Sequence, residues 1–188
     1  MRGSDFTRNL PRTRDALAFA AERHAGQRRE VDDAPFVVHP LEVARLIHEA
    51  GYPDRVVAAG VLHDVIEDTD TEPRDLAERF GTEVARLVTT VTEDPSIEDR
   101  TERKAALRLQ VAQAGGEAAV VFVADKISKA REMRLRLTIE QVEVERDCPK
   151  IEHYEESLEM LAELMPGHEL VERLRAELKA VHALPGCV

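Results

Sequence analysis

Apolar residues recur along most of this chain at intervals of three and four, the period of a helix buried on one face. Ala16, Leu17, Ala20 and Ala21 mark a first helix from Thr13 to about Ala25, and Gly26 suits its C-terminus. Residues 1–10 ahead of it read as a flexible arm. Pro40 belongs in the first turn of a second helix, whose stripe of Leu41, Val43, Ala44, Leu46 and Ile47 runs to about Ala50. After the turn Gly51-Tyr52-Pro53, Asp54 stands as the N-cap of a third helix. That helix passes through Ala58-Ala59-Gly60, small enough to pack deep in a domain, and into Val61-Leu62-His63-Asp64-Val65-Ile66-Glu67-Asp68. Pro73 opens a further helix with Leu76, Ala77 and Phe80 inward, and Val84, Leu87, Val88 and Val91 mark another over 82 to about 92. A longer one, from about Glu102 to Gln113, has Ala106, Leu109 and Val111 as apolar positions and stops at Gly115-Gly116.

Ala118 to Ala124 is a short apolar run, and periodicity alone does not separate a buried helix from a buried strand there. No second run exists to pair with it, so it is expected to be a buried helix continuing through Asp125 to about Leu135. Two last helices follow, at about 149–165 and 167–183. The pattern contains no repeats or linkers, and predicts an all-α fold with one domain over residues 11–188.

The stretch from Val61 to Asp68 carries the chemistry. In a continuous helix each residue advances about 100°, which gathers His63, Asp64, Glu67 and Asp68 into an arc of roughly 140°. Val61, Leu62, Val65 and Ile66 take the opposite arc. A helix with small residues just upstream draws those charges inward, where they must be paired or metal-bound, because an isolated buried charge is very costly. Arg28-Arg29, at the start of the polar loop Gln27–Pro35, has the makings of an anion clamp.

Composition narrows the function. The chain has 188 residues, 43% hydrophobic and 34% charged, enough for one globular domain without staples. A formal net charge of −11 disfavours a nucleic-acid polymer as partner, and aromatics at 4% with no Trp leave little to stack on single strands. A small anionic substrate stays open, since a few local cations or a metal override the global field. No apolar run approaches the roughly 18 residues of a membrane span. The N-terminus has positive charge without an apolar segment behind it, so it is not a secretory signal. Cys148 and Cys187 are too few and too distant for a disulfide framework and read as reduced thiols of a cytoplasmic protein.

His39, His63, Asp64 and Asp125 stand against apolar surroundings, and two imidazoles with two carboxylates suit a borderline divalent metal such as Mn, Fe or Zn. Glu67 and Asp68, one turn on, could orient a metal-bound water or accept its proton. This H…HD…D pattern resembles the HD phosphohydrolase superfamily. The flanking strings resemble the hydrolase domain of RelA/SpoT-type alarmone enzymes, above all the free-standing small alarmone hydrolases of the metazoan SpoT-homologue kind. They are Gly26-Gln27-Arg28-Arg29, Pro35-Phe36-Val37-Val38-His39-Pro40, Leu62 to Thr69, Phe80-Gly81 with Val88 to Asp94, Glu102-Arg103-Lys104, Ala124-Asp125-Lys126 and Lys150-Ile151-Glu152-His153-Tyr154. They cover roughly residues 12–183 in order.

The resemblance implies an all-α HD-domain bundle that hydrolyses the 3′-pyrophosphate of a guanosine alarmone with Mn2+. It implies His39, His63, Asp64 and Asp125 as metal ligands and Glu67 and Asp68 as the catalytic acid pair. It places Arg29, Arg100, Lys150 and Tyr154 at phosphate and nucleoside contacts. Two positions depart from the pattern: Lys129 replaces an Asn near the substrate ribose, and Glu30 replaces a basic residue after the loop arginine. Lys129 can only donate hydrogen bonds and brings a charge, so it is expected to reach a phosphate rather than the ribose. The same chemistry on an adenosine alarmone or a phosphorylated cofactor such as NADPH remains an alternative, as does a catalytically silent nucleotide sensor. The intact acid pair argues against the sensor.

Overall fold

The computed structural model describes residues 6–140 and 148–184. In chain order the helices are α1 (Pro11–Arg23), α2 (Val38–Glu49), α3 (Asp54–Leu62), α4 (Val65–Asp68), α5 (Pro73–Phe80), α6 (Thr82–Val91), α7 (Arg100–Ala114), α8 (Gly116–Glu140), α9 (Cys148–Leu164) and α10 (Glu169–His182). Among the described residues there is no strand, only an isolated bridge between Arg28 and Pro35 that closes the α1–α2 loop. The fold is the all-α bundle expected from the pattern.

Two helices are enclosed and position everything else. Every residue of α8 from Ala118 to Ser128 is buried, because α2, α3, α6, α7, α9 and α10 pack around it. A segment covered on all sides has no polar face, which is why its periodicity is uninformative. α3 is buried from Val56 to Leu62 and lies between α1 and α2. Gly60 allows the close approach of α2. A Cβ there would overlap the Ile47 side chain and stand 3.6 Å from the Ala44 Cα. The same contact brings His39, at the start of α2, up against the end of α3.

Several expectations need correction. The helix through Val61–Asp68 is broken: α3 ends at Leu62, His63 and Asp64 form a turn, and α4 is a single turn from Val65 to Asp68. Asp54 does not cap its own helix, where Pro53 holds the N-cap position. Its carboxylate instead accepts from the backbone N–H groups of Arg12 and Thr13 at 3.0 and 2.9 Å, capping α1, whose own N-cap Leu10 has no side-chain acceptor. On α7 the inward residues are Leu107 and Val111, one turn apart, while Leu109 is 61% exposed. Of the arm, residues 1–5 lie outside the described residues, but Phe6 packs on the core and stacks on His48 with ring centroids 5.3 Å apart. Cys187 and the side chain of Cys148 also lie outside the described part.

Candidate active site

Three separate stretches of chain bring four side chains to one point. His39 comes from the first turn of α2, His63 and Asp64 from the turn between α3 and α4, and Asp125 from the middle of α8. The Nε2 atoms of His39 and His63 are 3.1 Å apart. His39 Nε2 lies 3.3 Å from both Asp64 Oδ2 and Asp125 Oδ1, and His63 Nε2 lies 3.1 Å from Asp64 Oδ1 and 3.5 Å from Asp125 Oδ1. The break after Leu62 is what makes this possible. It lets His63 and Asp64, neighbours in sequence, face the same centre.

The donor set fits a divalent ion on independent grounds. His63 Nδ1 is 2.8 Å from the Gly60 carbonyl, which can only accept, so Nδ1 carries a hydrogen and Nε2 is the nitrogen aimed at the cluster, where it can give up its proton to a metal. Asp64 Oδ2 and Asp125 Oδ1 are buried without a hydrogen-bond partner, a costly arrangement unless something positive meets them. Burial alone would lower the His63 pKa, but Asp64 and Asp125 push it up to about 10. Burial would likewise raise both carboxyls, yet His63 and Lys129 hold Asp64, and Lys126 and the two histidines hold Asp125, well below the ordinary carboxylate range. The centre therefore calls for one more positive charge, which a proton on His63 or a metal ion can supply. Metal binding here displaces that proton.

The cluster floors a cleft of about 630 Å³. His63, Asp64, Glu67, Asp68, Asp125, Arg29, Arg100, Lys129, Lys150 and Tyr154 all line it, whereas His39 is fully buried behind its floor. Ten of the eleven residues singled out in the sequence thus share one cavity. Glu67 and Asp68 sit one turn from the cluster with their side chains open to the cleft. Partial desolvation pushes the Glu67 carboxyl up to about 7. A 2.6 Å bond from the Glu93 N–H pulls against this, and the charges of Asp64 and Glu93 add to it. Asp68 is raised as well, first by desolvation and then by Asp64.

Around the cleft the charge reverses. Arg28, Arg29, Arg100, Lys104, Lys126, Lys129, Arg136 and Lys150 line it, a concentration of cations against the chain's net charge of −11. Lys129 Nζ is 3.9 Å from Asp64 Oδ2 and 5.6 Å from the Phe36 ring centroid, and its pKa is raised because Asp64, Asp125 and Glu132 outweigh its desolvation. Tyr154 is buried, and burial with the Asp125 charge raises its phenol pKa, so it stays a hydrogen-bond donor. The paired arginines are not an open clamp. Arg29 holds Asp32 through two 3.1 Å bonds and meets Glu132 at 3.3 Å, and Arg28 donates to the Asp33 carbonyl.

Some contributors carry no assignment in the sequence. Lys126 is buried with Nζ 2.7 Å from Asp125 Oδ2 and 4.5 Å from the Phe122 ring centroid, which leaves Asp125 Oδ1 free for the cluster. Its signal is the one lysine within the enclosed stretch Ala118–Ser128. Glu93 anchors the α6–α7 loop through Arg103 and Lys104. Gln27 donates to the Asp68 carbonyl at 2.9 Å and so ties α4 to the α1–α2 loop. No spacing in the sequence announces either tie.

Comparison with known proteins agrees with this geometry. An HD domain family model matches residues 16–151. The human guanosine-3′,5′-bis(diphosphate) 3′-pyrophosphohydrolase MESH1 is 43% identical over 125 residues, 63% of this chain and 68% of that protein. A protein of Aquifex aeolicus named for the same activity is 37% identical over 100 residues, 53% of this chain but only 14% of its own length. The solved structure of a metazoan ortholog of SpoT, described as hydrolysing ppGpp, superposes with a TM-score of 0.78 at 26% identity, covering 95% of this chain and 97% of that one. The matched span holds the histidines and aspartates that converge on the floor of the cleft, and the chain belongs to the HD domain family.

Proposed function

We propose that the protein is a metal-dependent hydrolase that removes the 3′-pyrophosphate of a (p)ppGpp-like guanosine nucleotide, with Mn2+ as its ion. The observation that carries this reading is the buried cluster of two imidazoles and two carboxylates, two of whose oxygens lack partners, beneath a cleft walled by cations. It is supported by the similar human protein, which is named for that activity. A nucleotide substrate of this kind implies a cytoplasmic setting, and among the described residues no helix is long and apolar enough to cross a membrane.

In this reading His39, His63, Asp64 and Asp125 hold the ion. Bound there, it supplies positive charge to phosphoryl oxygens and acidity to a water. Glu67, whose carboxyl is poised near 7, accepts the proton of the attacking water, and Asp68 beside it orients that water. Water oxygen bonds to phosphorus, the bond from phosphorus to the ribose 3′-oxygen breaks, and that oxygen regains a proton as pyrophosphate departs. Arg100 and Lys150 neutralise the phosphates, and Tyr154 offers a ring and a hydroxyl to the nucleoside. Arg29 lines the cleft with its guanidinium held by Asp32 and Glu132, so a phosphate that reaches it shares it with those acids.

Lys129 bears on which nucleotide the cleft takes. Its ammonium stands beside a ligand carboxylate, so it reaches a phosphate near the centre rather than a ribose hydroxyl, and Glu30 lines the same cleft. Both features leave an adenosine alarmone or a phosphorylated cofactor such as NADPH as the competing substrates. Pyrophosphate and phosphate release from a panel of these nucleotides decides the matter. Turnover of guanosine 3′-pyrophosphates above the others supports the proposal. A higher kcat/KM for the adenosine or cofactor substrates replaces it, and no turnover by ion-loaded protein leaves the silent sensor.

A further inference from the structure

His39 is the one proposed ligand with no surface on the cleft, and its far nitrogen opens a path through three helices. His39 Nδ1 lies 2.9 Å from Ser128 Oγ, and Ser128 Oγ donates to Glu42 Oε2 at 2.8 Å. Arg131 donates from Nη1 to Glu42 Oε1 at 2.9 Å and from Nε to Glu177 Oε1 at 2.8 Å. Arg134 meets the second Glu177 oxygen at 3.1 Å. The path runs from α2 across α8 to α10.

The hydrogens along it are determined. Ser128 has a single hydroxyl hydrogen, and a carboxylate oxygen can only accept, so that hydrogen goes to Glu42. Ser128 Oγ must then accept from His39, which places the hydrogen on Nδ1 and leaves the Nε2 lone pair facing the cluster. Glu132 Oε1, at 3.9 Å from His39 Nδ1, is beyond hydrogen-bond reach and does not compete. Ser128 is fully buried, so no water substitutes for it freely.

We propose that Ser128 and Glu42, braced by Arg131 and Glu177, form a positioning relay that fixes the tautomer of His39 and aims its Nε2 at the divalent ion. The C-terminal helix α10 thereby becomes part of the support of the metal centre. Partners of this kind behind a ligating histidine typically contribute about 10–100-fold in metal affinity.

The inference rests on the metal reading of the site, and its test is read without substrate. The dissociation constant of Mn2+ is measured on chelator-stripped full chain for native protein, Ser128→Ala, Glu42→Gln and Glu49→Gln. The last breaks a neighbouring α2–α10 ion pair, Arg173 Nη1 to Glu49 Oε2 at 3.3 Å, outside the relay. Ser128→Ala is expected to weaken binding by about 10–100-fold and Glu42→Gln by less, with Glu49→Gln unchanged. The 15N shifts of His39 should report loss of the Nδ1–H form in the Ser128 variant. Unchanged affinity in folded Ser128→Ala, or an equal loss in Glu49→Gln, overturns the relay. Should Ser128→Ala fail to fold, Glu42→Gln alone decides by the same criterion. Failure of native protein to bind a divalent ion is a separate result, and it overturns the metal reading itself.

Discussion

At the floor of the cleft, His63, Asp64 and Asp125 project from enclosed elements, and two carboxylate oxygens have no partner. Along the wall, Arg29 and Lys104 are each already matched by an acid of the protein, Asp32 with Glu132 in the first case and Glu93 in the second. The floor keeps Asp64 Oδ2 and Asp125 Oδ1 without hydrogen-bond partners and is held by buried backbone, so a cation between them completes it. The wall is rich in cations, but some of them are already engaged, so an arriving anion must share those with Asp32, Glu93 and Glu132. Exchanging one such ion pair for a phosphate contact replaces one charge-assisted hydrogen bond with another, so it changes affinity modestly. Chemistry should therefore be concentrated on the floor, and selectivity spread over the wall.

The contrast is greatest at Asp64. Asp64→Ala should abolish ion binding and bring turnover to background, measured as metal content and pyrophosphate release, while Arg100→Ala keeps its ion and much of its rate. Comparable losses from the two would erase the distinction between floor and wall.

Glu67 comes next, since it touches the reaction and not the ion. Glu67→Gln should keep the metal and slow turnover by about 10²–10⁴. A base must be unprotonated to act, so in native protein kcat/KM rises with pH up to a limb at or a little below 7, a bound ion offsetting the Asp64 charge that helps raise this carboxyl. The limb should vanish in the Gln variant. Loss of metal together with rate would instead move Glu67 into the ligand set.

Much of this is legible in the sequence, and the failures have physical causes. The amphipathic helices are readable because each buries one face, and the buried helix α8 follows only because nothing else could pair with it. His39, His63, Asp64 and Asp125 stand out as polar residues in apolar surroundings. The break after Leu62 is invisible because Val61–Asp68 is a good helical pattern. What ends α3 is a tertiary arrangement that turns His63 toward His39. Asp54 reads as the cap of its own helix because the acceptor's real partners lie 41 and 42 residues away. Pairings such as Ser128 with Glu42, or Lys126 with its neighbour Asp125, depend on side-chain direction, which spacing does not carry.

On the wall the effects should be smaller. Lys129→Asn should change kcat/KM by about tenfold at most and alter the ranking of guanosine, adenosine and cofactor substrates along with the salt dependence. An unchanged ranking and salt dependence would make Lys129 a bystander beside Asp64.

The smallest effect concerns His153, buried against the wall. Desolvation, with Lys126, Lys104 and Arg108 adding, lowers its pKa to about 2, and Arg108 Nη1 donates to its Nδ1 at 2.7 Å. The unfolded chain takes up this proton near pH 6.5 and the folded one does not, so the contribution is intact above that pH. It is lost as pH falls below it, by about 1 kcal/mol per unit. Glu67, whose folded pKa is raised, acts in the opposite direction between its ordinary value and 7. The clean readout is thus a difference: the fall in unfolding free energy from pH 6.5 to 5.5 should shrink in His153→Gln relative to native protein. An identical fall in both would mean that His153 titrates normally in the folded state.

The proposed function stands or falls with one divalent ion, held by His39, His63, Asp64 and Asp125, that serves hydrolysis of a 3′-pyrophosphate. Its most direct test is to strip the native protein with a chelator and titrate Mn2+ back while following pyrophosphate release from a guanosine 3′-pyrophosphate. Stripped protein should show no turnover, and activity should recover fully at one equivalent of ion. Undiminished turnover by metal-free protein, or no turnover with one equivalent bound, would contradict it.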